Sequence, residues 1–118
     1  MSAEDAEQAV RGYYAAYSDG NPAGFDQVVS PEYTDYGHNP PGRGPQGAKN
    51  DYEHAVQVVG GPIKYDIDAL VARPDGAVAV AWTGHLPNGQ QSRGLSLYQV
   101  TGGLVTEIRH AAIGALPS

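Results

Sequence analysis

His110 is the residue whose type and position best suit acid–base chemistry in this sequence. It lies in the last predicted strand, residues 104–113, where side chains alternate between two faces. Ile108 shares its face, whereas Glu107 and Arg109 occupy the other, so we expect His110 to face the interior. An imidazole, with an ordinary pKa of about 6.5, can take or give a proton near neutral pH. The alternative is a core histidine bonded to a neighbouring carbonyl or tyrosine.

A second polar group lies on the strand predicted over residues 92–100. There Ser96 and Tyr98 alternate with Leu95 and Leu97, so the two polar residues share a face. An inward Tyr98 hydroxyl could donate a hydrogen bond to an oxyanion, the negative oxygen formed when a carbonyl is attacked or enolised. Alternatively, Tyr98 serves only as pocket wall.

Three tyrosines fall on a helix predicted over residues 3–19. Tyr13 and Tyr17 share one face, and Tyr14 is the immediate neighbour of Tyr13. A hydroxyl directed into a pocket would polarise a carbonyl, and Tyr13 is the first candidate for that role. Tyr14 and Tyr17 are interpreted as packing residues that line the pocket, and all three could simply form the apolar face of the helix.

Trp82, the only tryptophan, lies on a strand predicted over residues 77–86. It shares a face with Val78 and Val80, which is typical of a core side chain that also contributes to a pocket wall. His85 has the opposite parity, so we expect it on the other face of the sheet.

The remaining pattern supplies the elements that position these residues. Alternation and turn residues predict helices followed by strands, in the order α-α-β-α-β-β-β-β, which is typical of an α+β fold. The predicted helices are residues 3–19, a short helix to residue 29, and 46–59; the predicted strands are residues 32–38, 63–72, 77–86, 92–100 and 104–113. Residues 39–47 are predicted as a Gly/Pro loop.

Composition excludes several function classes. The 118 residues fit a single domain, predicted to span residues 1–118. A formal charge of −6 without a Lys/Arg cluster argues against nucleic-acid binding. The absence of cysteine excludes disulfides, thiolate metal sites and cysteine nucleophiles. The acidic start and the lack of a long apolar stretch predict no membrane segment and a cytoplasmic location.

Motifs for metals, phosphates and nucleophilic serines are also missing. The four histidines form none of the familiar metal spacings, and we expect His54, which lies among charges on the third predicted helix, to be solvated. No dinucleotide pattern follows the Gly-x-Gly at residues 42–44. No nucleophile elbow surrounds Ser96, Ser92 or Ser30. We therefore predict neither a metal nor a cofactor.

Four segments carry a resemblance to a known family. They are residues 17–22, Tyr-Ser-Asp-Gly-Asn-Pro; residues 36–42, Tyr-Gly-His-Asn-Pro-Pro-Gly; the strand at residues 78–84; and the hairpin at residues 94–107. With the order of elements, they resemble the SnoaL-like polyketide cyclases of the nuclear transport factor two superfamily. The resemblance covers nearly the whole chain and implies a curved, mixed or antiparallel sheet wrapped around helices to form a cone-shaped pocket.

The resemblance also implies roles for individual residues. His110 stands near the point where cyclases and limonene epoxide hydrolases keep an aspartate base, and Ser96 stands where related isomerases and epoxide hydrolases keep an acid. Tyr13 occupies about the place of the oxyanion-binding tyrosine of ketosteroid isomerase. The stretch with His38 and Asn39 looks like the one that lines the cyclase pocket mouth.

His38 is thereby a candidate second acid/base or substrate anchor, or else a loop histidine that caps the backbone. Asp35 can point inward together with His38 only if Gly37 forms a bulge. The residues expected to line the substrate pocket are Tyr14, Tyr17, Asp35, Asn39, Trp82, Ser96, Tyr98 and Ile108.

The function implied is that of a cofactor-free acid/base enzyme, a cyclase or isomerase, acting on a small hydrophobic, carbonyl-containing molecule such as a polyketide. His110, Tyr13 and His38 would be its catalytic residues. A homodimer formed through the convex sheet face is the expected assembly, with neither nucleic acid nor membrane as partner. The alternative is a non-catalytic ligand-binding or dimeric accessory module of the same fold.

Overall fold

The computed structural model describes residues 2–36 and 40–112. Helix α1, Ala3–Ser18, begins at a capping box in which the Ser2 hydroxyl accepts from the Asp5 backbone while the Asp5 carboxylate accepts from the Ser2 backbone. The helix ends one residue earlier than predicted. Its buried face carries Val10, Tyr13 and Tyr14.

A 3-10 helix, Pro22–Gly24, and a one-turn helix α2, Phe25–Val28, lead directly into strand β1, Val29–Asp35. We predicted the strand to begin after Pro31, and this boundary is wrong. A register irregularity between Val29 and Thr34 accommodates the proline, which has no N–H to donate to a neighbouring strand.

A two-residue strand β2, Gly42–Arg43, lies in the segment predicted as a loop, and it pairs with the end of β1. Helix α3, Gly44–Val59, follows at once and begins two residues earlier than predicted, because Pro45 suits the first turn of a helix. Gly60 ends α3 with a left-handed backbone, φ 85°.

The second half of the chain is a meander of four strands. They are β3, Lys64–Ala72; β4, Ala77–His85; β5, Gln91–Thr101; and β6, Leu104–Ala112. Each lies within a residue or so of its predicted limits. The six-stranded sheet has the order β2-β1-β6-β5-β4-β3, with β1 and β6 parallel and the other pairs antiparallel. The predicted α+β class with a mixed sheet is confirmed.

The core lies between α1 and the concave face of the sheet. Strand parity is as predicted: Ser96 and Tyr98 are buried on the concave face, and Leu95 and Leu97 are half exposed on the other, convex face. The buried hydrophobic cluster contains Ala6, Ala9, Val10, Tyr13, Tyr14, Ala16, Phe25, Val29, Tyr33, Ala48, Tyr52, Val78, Val80, Tyr98, Val100, Val105 and Ile108. Within the described ranges, none of the helices is long and apolar enough to cross a membrane.

Candidate functional site

A cavity of about 290 Å³ opens between helices α1 and α3 and the concave face of the sheet. Five tyrosines and one tryptophan form most of its wall, and two aspartates and one histidine are its other polar side chains. The lining residues are Tyr13, Tyr14, Tyr17, Asp35, Asp51, Ala55, Tyr65, Trp82, Tyr98 and His110. An aromatic wall with a few polar groups is typical of a site for a small organic molecule.

His110 and Asp35 meet at this cavity because β1 and β6 are parallel neighbours. Asp35 is in register with Ile108, and His110 is the next residue of β6 on the same face. The Nε2 atom of His110 lies 3.8 Å from Oδ2 of Asp35. The aspartate side chain is only 2% exposed, whereas that of the histidine is 32% exposed. The wall of the cavity therefore contains an imidazole that solvent can reach beside a carboxylate that it barely reaches.

Ser96 connects His110 to the indole of Trp82. The indole Nε1–H donates to the Ser96 hydroxyl over 2.8 Å, and that hydroxyl lies 2.7 Å from Nδ1 of His110. Gly94, the cross-strand partner of Trp82, makes this possible, because a Cβ atom there would collide with the indole ring. Ser96 thus fixes one edge of the imidazole and leaves Nε2 directed toward Asp35.

Two pairs of tyrosine hydroxyls cross the interior. Tyr98 donates to the Tyr14 hydroxyl over 2.7 Å, and the hydroxyls of Tyr13 and Tyr33 lie 3.2 Å apart. Burial raises the pKa of Tyr14 to about 12, although hydrogen bonds with Tyr98 and Ser96 oppose the increase. Burial likewise raises the pKa of Tyr13 and of Tyr98 well above the ordinary value, so these groups are neutral donors near pH 7.

Three lining residues were not predicted: Asp51 and Ala55, one turn apart on α3, and Tyr65 on β3. Tyr65 could have been found, because it alternates with outward-facing polar residues on its strand. Nothing in the sequence indicates that the Asp51 side of α3 faces a cavity. A Cβ atom at Gly42 would collide with the Asp51 carboxylate, so this glycine allows α3 to lie close against β2.

Several predicted site residues lie elsewhere. Ile108 is fully buried in the core cluster, and Ser96 lies behind the imidazole, so neither lines the cavity. Both have the expected parity, but larger neighbouring side chains form the wall. His38 and Asn39 are outside the described residues. The expected lining by Tyr14, Tyr17, Asp35, Trp82 and Tyr98 agrees with the geometry, as does that by the candidate catalytic residues Tyr13 and His110.

The other two described histidines are away from the cavity. His54 is exposed on α3, as predicted. His85 lies on the convex face, where its Nε2 atom is 2.7 Å from Oδ2 of Asp66. Across residues 2–36 and 40–112, no three histidine or acidic side chains are grouped so that they could hold a metal ion.

Solved structures with the same fold include proteins from several bacteria. A cystatin-like-fold protein of unknown function from Methylobium petroleophilum PM1 is 24% identical, with a TM-score of 0.83 over 100% of this chain and 82% of that chain. A candidate ketosteroid isomerase from Kribbella flavida is 14% identical, with a TM-score of 0.79 over 98% and 83% of the two chains. At these identities the likeness shows the fold alone.

A candidate polyketide cyclase from Bacillus cereus is 18% identical, with a TM-score of 0.80 over 92% of this chain and 74% of that chain. No curated protein matches the sequence. The profile of the SnoaL-like domain matches residues 10–108, which is most of the chain. The chain therefore belongs to the SnoaL-like domain family.

Proposed function

We propose that this protein is a cofactor-free acid/base enzyme of the cyclase or isomerase type, acting on a small hydrophobic molecule that contains a carbonyl group. The observation that carries the proposal is the His110–Asp35 pair in the wall of an aromatic cavity, with Asp35 almost completely buried. Cyclase and isomerase candidates of the same fold support the reaction class.

The base is Nε2 of His110. The Ser96 hydroxyl accepts from Trp82, and its second lone pair can accept from a protonated Nδ1, which leaves the lone pair of Nε2 free to take a proton. Asp35 then faces the imidazolium and stabilises its charge from the buried side of the pair. Ser96 acts here through the imidazole, and it is a positioning residue.

The Tyr14 hydroxyl is the oxyanion donor that the hydrogen bonds favour. Its oxygen already accepts from Tyr98, so its own proton remains available to a ligand in the cavity. The hydrogen bond from Tyr98 also stabilises negative charge on Tyr14, which makes Tyr14 a better donor to an enolate. Tyr13, the candidate from the sequence, is the second choice for this role, because its hydroxyl already contacts that of Tyr33.

The reaction begins when Nε2 removes a proton from the carbon next to a carbonyl. The C–H electron pair forms an enolate, whose oxygen receives the hydrogen bond from Tyr14. In an isomerisation, the imidazolium returns the proton to another carbon of the same molecule. In a cyclisation, the enolate carbon attacks a second carbonyl, and the resulting alkoxide takes the proton back from the imidazolium. In both cases the enzyme regains its starting protonation state.

The size of the cavity limits the substrate. About 290 Å³ lies at the low end of the range for ligand pockets, which favours a small molecule over a long polyketide chain. The aromatic wall would hold a flat, unsaturated skeleton against the ring faces.

Hydrogen–deuterium exchange of pentane-2,4-dione, a small open-chain 1,3-diketone that stays neutral near pH 7, tests the proposal when it is followed by NMR in D₂O. The wild-type protein should accelerate exchange at the acidic carbon, and His110→Gln should remove the acceleration. The matched control is His85→Gln, since His85 is also paired with an aspartate but lies on the convex face. Equal exchange in His110→Gln and the wild type would contradict the proposed base.

A non-catalytic ligand-binding module is the second candidate function. The observation that supports it is that tyrosine hydroxyls at the cavity already form hydrogen bonds with one another. These hydroxyls therefore have partners without a reacting substrate, as expected for a wall that only binds. Such a module would bind the diketone with similar affinity in the wild type and in His110→Gln, and neither protein would accelerate exchange.

A further inference from the structure

The described side chains of the cavity wall carry a net negative charge. Of the described side chains that line it, Asp35 and Asp51 are acidic, His110 is the one that can become cationic, and none is a lysine or arginine. Even with a protonated histidine, two carboxylates leave a formal charge of −1. An anionic ligand would be repelled from this cavity, and a cationic one would be attracted.

The aromatic rings of the wall meet edge to face. Tyr65 and Trp82 have ring centroids 5.4 Å apart at 84°, and Tyr17 and Tyr65 have centroids 5.7 Å apart at 87°. Tyr14 contacts Tyr65 in the same way, at 5.6 Å and 69°. In each of these contacts the edge of one ring lies against the face of another. Where a ring face borders the cavity, its negative charge density attracts an ammonium group.

The carboxylates also act across the cavity. After burial and the neighbouring Tyr65, the charges of Asp51 and Asp35 are the next causes that raise the pKa of Tyr17. Helix α1 thus lies in the negative potential of residues on β1 and α3. A cation between these elements would interact with aromatic faces and carboxylates together.

Asp51 is the carboxylate best placed to receive a cation. Asp35 faces His110, and Asp51 lines the cavity from helix α3. The close approach of Gly42 to the Asp51 carboxylate, and of Gly47 to the Gly42 backbone, fixes that part of α3. The carboxylate is therefore held in place before a ligand arrives.

We propose that the cavity selects a ligand with an ammonium group, such as a tertiary or quaternary amine on a small apolar body, held by the aromatic rings and Asp51. The inference rests on the proposed use of this cavity for a substrate, and it names the charge that the substrate carries. A carbonyl compound with a basic amine has a proton next to the carbonyl for His110 to remove, and it has a positive charge that the negative wall attracts.

The test uses two isosteric probes, 4-hydroxyphenyltrimethylammonium and the neutral 4-tert-butylphenol. Their affinities are measured by titration calorimetry, and the indole N–H signal of Trp82, the only tryptophan, reports whether each enters the cavity. The cation should bind about tenfold more tightly than its neutral isostere, which is the scale of a desolvated cation–π contact. The preference should disappear in Asp51→Asn.

Glu53→Gln is the matched control, because it removes the same charge from an exposed position of the same helix. It should keep the preference, and circular dichroism checks that both variants fold. Equal binding of the two probes to the wild type would overturn the inference, and so would a preference that survives in Asp51→Asn. Diketone exchange that depends on His110, without a preference for the cation, would refute this inference and leave the proposed function intact.

Discussion

The sheet carries a histidine–aspartate pair on each of its two faces, and the two pairs differ mainly in the exposure of the carboxylate. On the convex face, His85 and Asp66 lie 2.7 Å apart with side chains 40% and 68% exposed. On the concave face, His110 and Asp35 lie 3.8 Å apart, and the aspartate is 2% exposed. Water screens the shorter pair, so it contributes little. In the longer pair the carboxylate is shielded from water, and this burial, rather than the distance, marks the candidate site.

Removal of the buried carboxylate should have the largest effect on activity. Asp35→Asn is expected to lower the rate of diketone exchange about 100-fold or more, because the imidazolium loses its countercharge. Exchange in D₂O measures the effect. Asp66→Asn removes the equivalent carboxylate on the convex face and should leave the rate within about twofold, given the small contribution of exposed pairs. Similar losses in both variants would remove the distinction between the faces.

High pH should unfold the protein, because the buried tyrosines at the concave face of the sheet lose their protons more easily in the unfolded chain. The pKa of Tyr14 is about 12 in the folded chain against 10.0 for the free side chain, and burial also raises those of Tyr13 and Tyr98 well above the ordinary value. The folded state therefore holds protons that the unfolded state releases, so stability is intact below pH 10 and falls as the pH rises beyond it. Tyrosinate absorbance and circular dichroism should change together. Ionisation of every tyrosine without unfolding would contradict this expectation.

A larger side chain beside the Trp82 indole tests how closely the concave face of the sheet is packed. Gly94→Ala places a Cβ atom against the ring of Trp82 and is expected to lower the free energy of unfolding by about 1–3 kcal/mol. Urea denaturation measures the loss. Leu95→Ala, at the neighbouring half-exposed residue, should cost less. A larger loss from Leu95→Ala would show that the convex leucine is the better packed of the two.

Loss of the Ser96 hydroxyl should affect the imidazole more than the fold. In Ser96→Ala the tautomer of His110 is no longer fixed, so we expect an altered pattern of the ring ¹⁵N signals and about tenfold slower exchange. The Trp82 N–H also loses its acceptor, which costs about 1–3 kcal/mol of stability. Ser96→Thr keeps the hydroxyl and should restore the ¹⁵N pattern. A normal tautomer in Ser96→Ala would exclude the positioning role.

The smallest effect on the fold is expected from the convex leucines. Leu97→Lys should change the free energy of unfolding of the single chain by no more than about 0.5 kcal/mol, because the side chain is half exposed there. The homodimer expected through this face remains a prediction. Sedimentation of the wild type and of Leu97→Lys tests it: a wild-type dimer that Leu97→Lys dissociates would support the prediction, and a wild-type monomer would refute it.

Strand parity made much of this fold predictable, together with the part of the site that lies on β4, β5 and β6. Alternation along β5 and β6 is a local property, and it correctly assigned Ser96, Tyr98 and Ile108 to the concave face. Turn residues placed the limits of β3 to β6 within a residue or two, whereas β1 begins three residues earlier than predicted. The two-residue β2 was missed because it is too short to show a pattern.

The contacts that complete the site could not be predicted in the same way. Asp35 meets His110 only because β1 and β6 are parallel neighbours, and that pairing joins residues far apart in the chain. Asp51 faces the cavity because of how α3 lies on the sheet, and the helical pattern alone does not give that angle. Parity indicates which side chains share a face, but it does not show how far large side chains extend over smaller ones such as Ser96.

The parallel pairing of β1 with β6 also determines when the wall of the cavity can be completed. In the sheet, β6 lies between β1 and β5, although it is synthesised after both. During translation, the meander of β3 to β5 can form early from local contacts, whereas β1 must wait for β6 to pair beside it. Asp35 and His110 then come together in one of the last folding events. A nascent or partly folded chain therefore holds no assembled His110–Asp35 pair, and the wall of the cavity is complete only in the finished molecule.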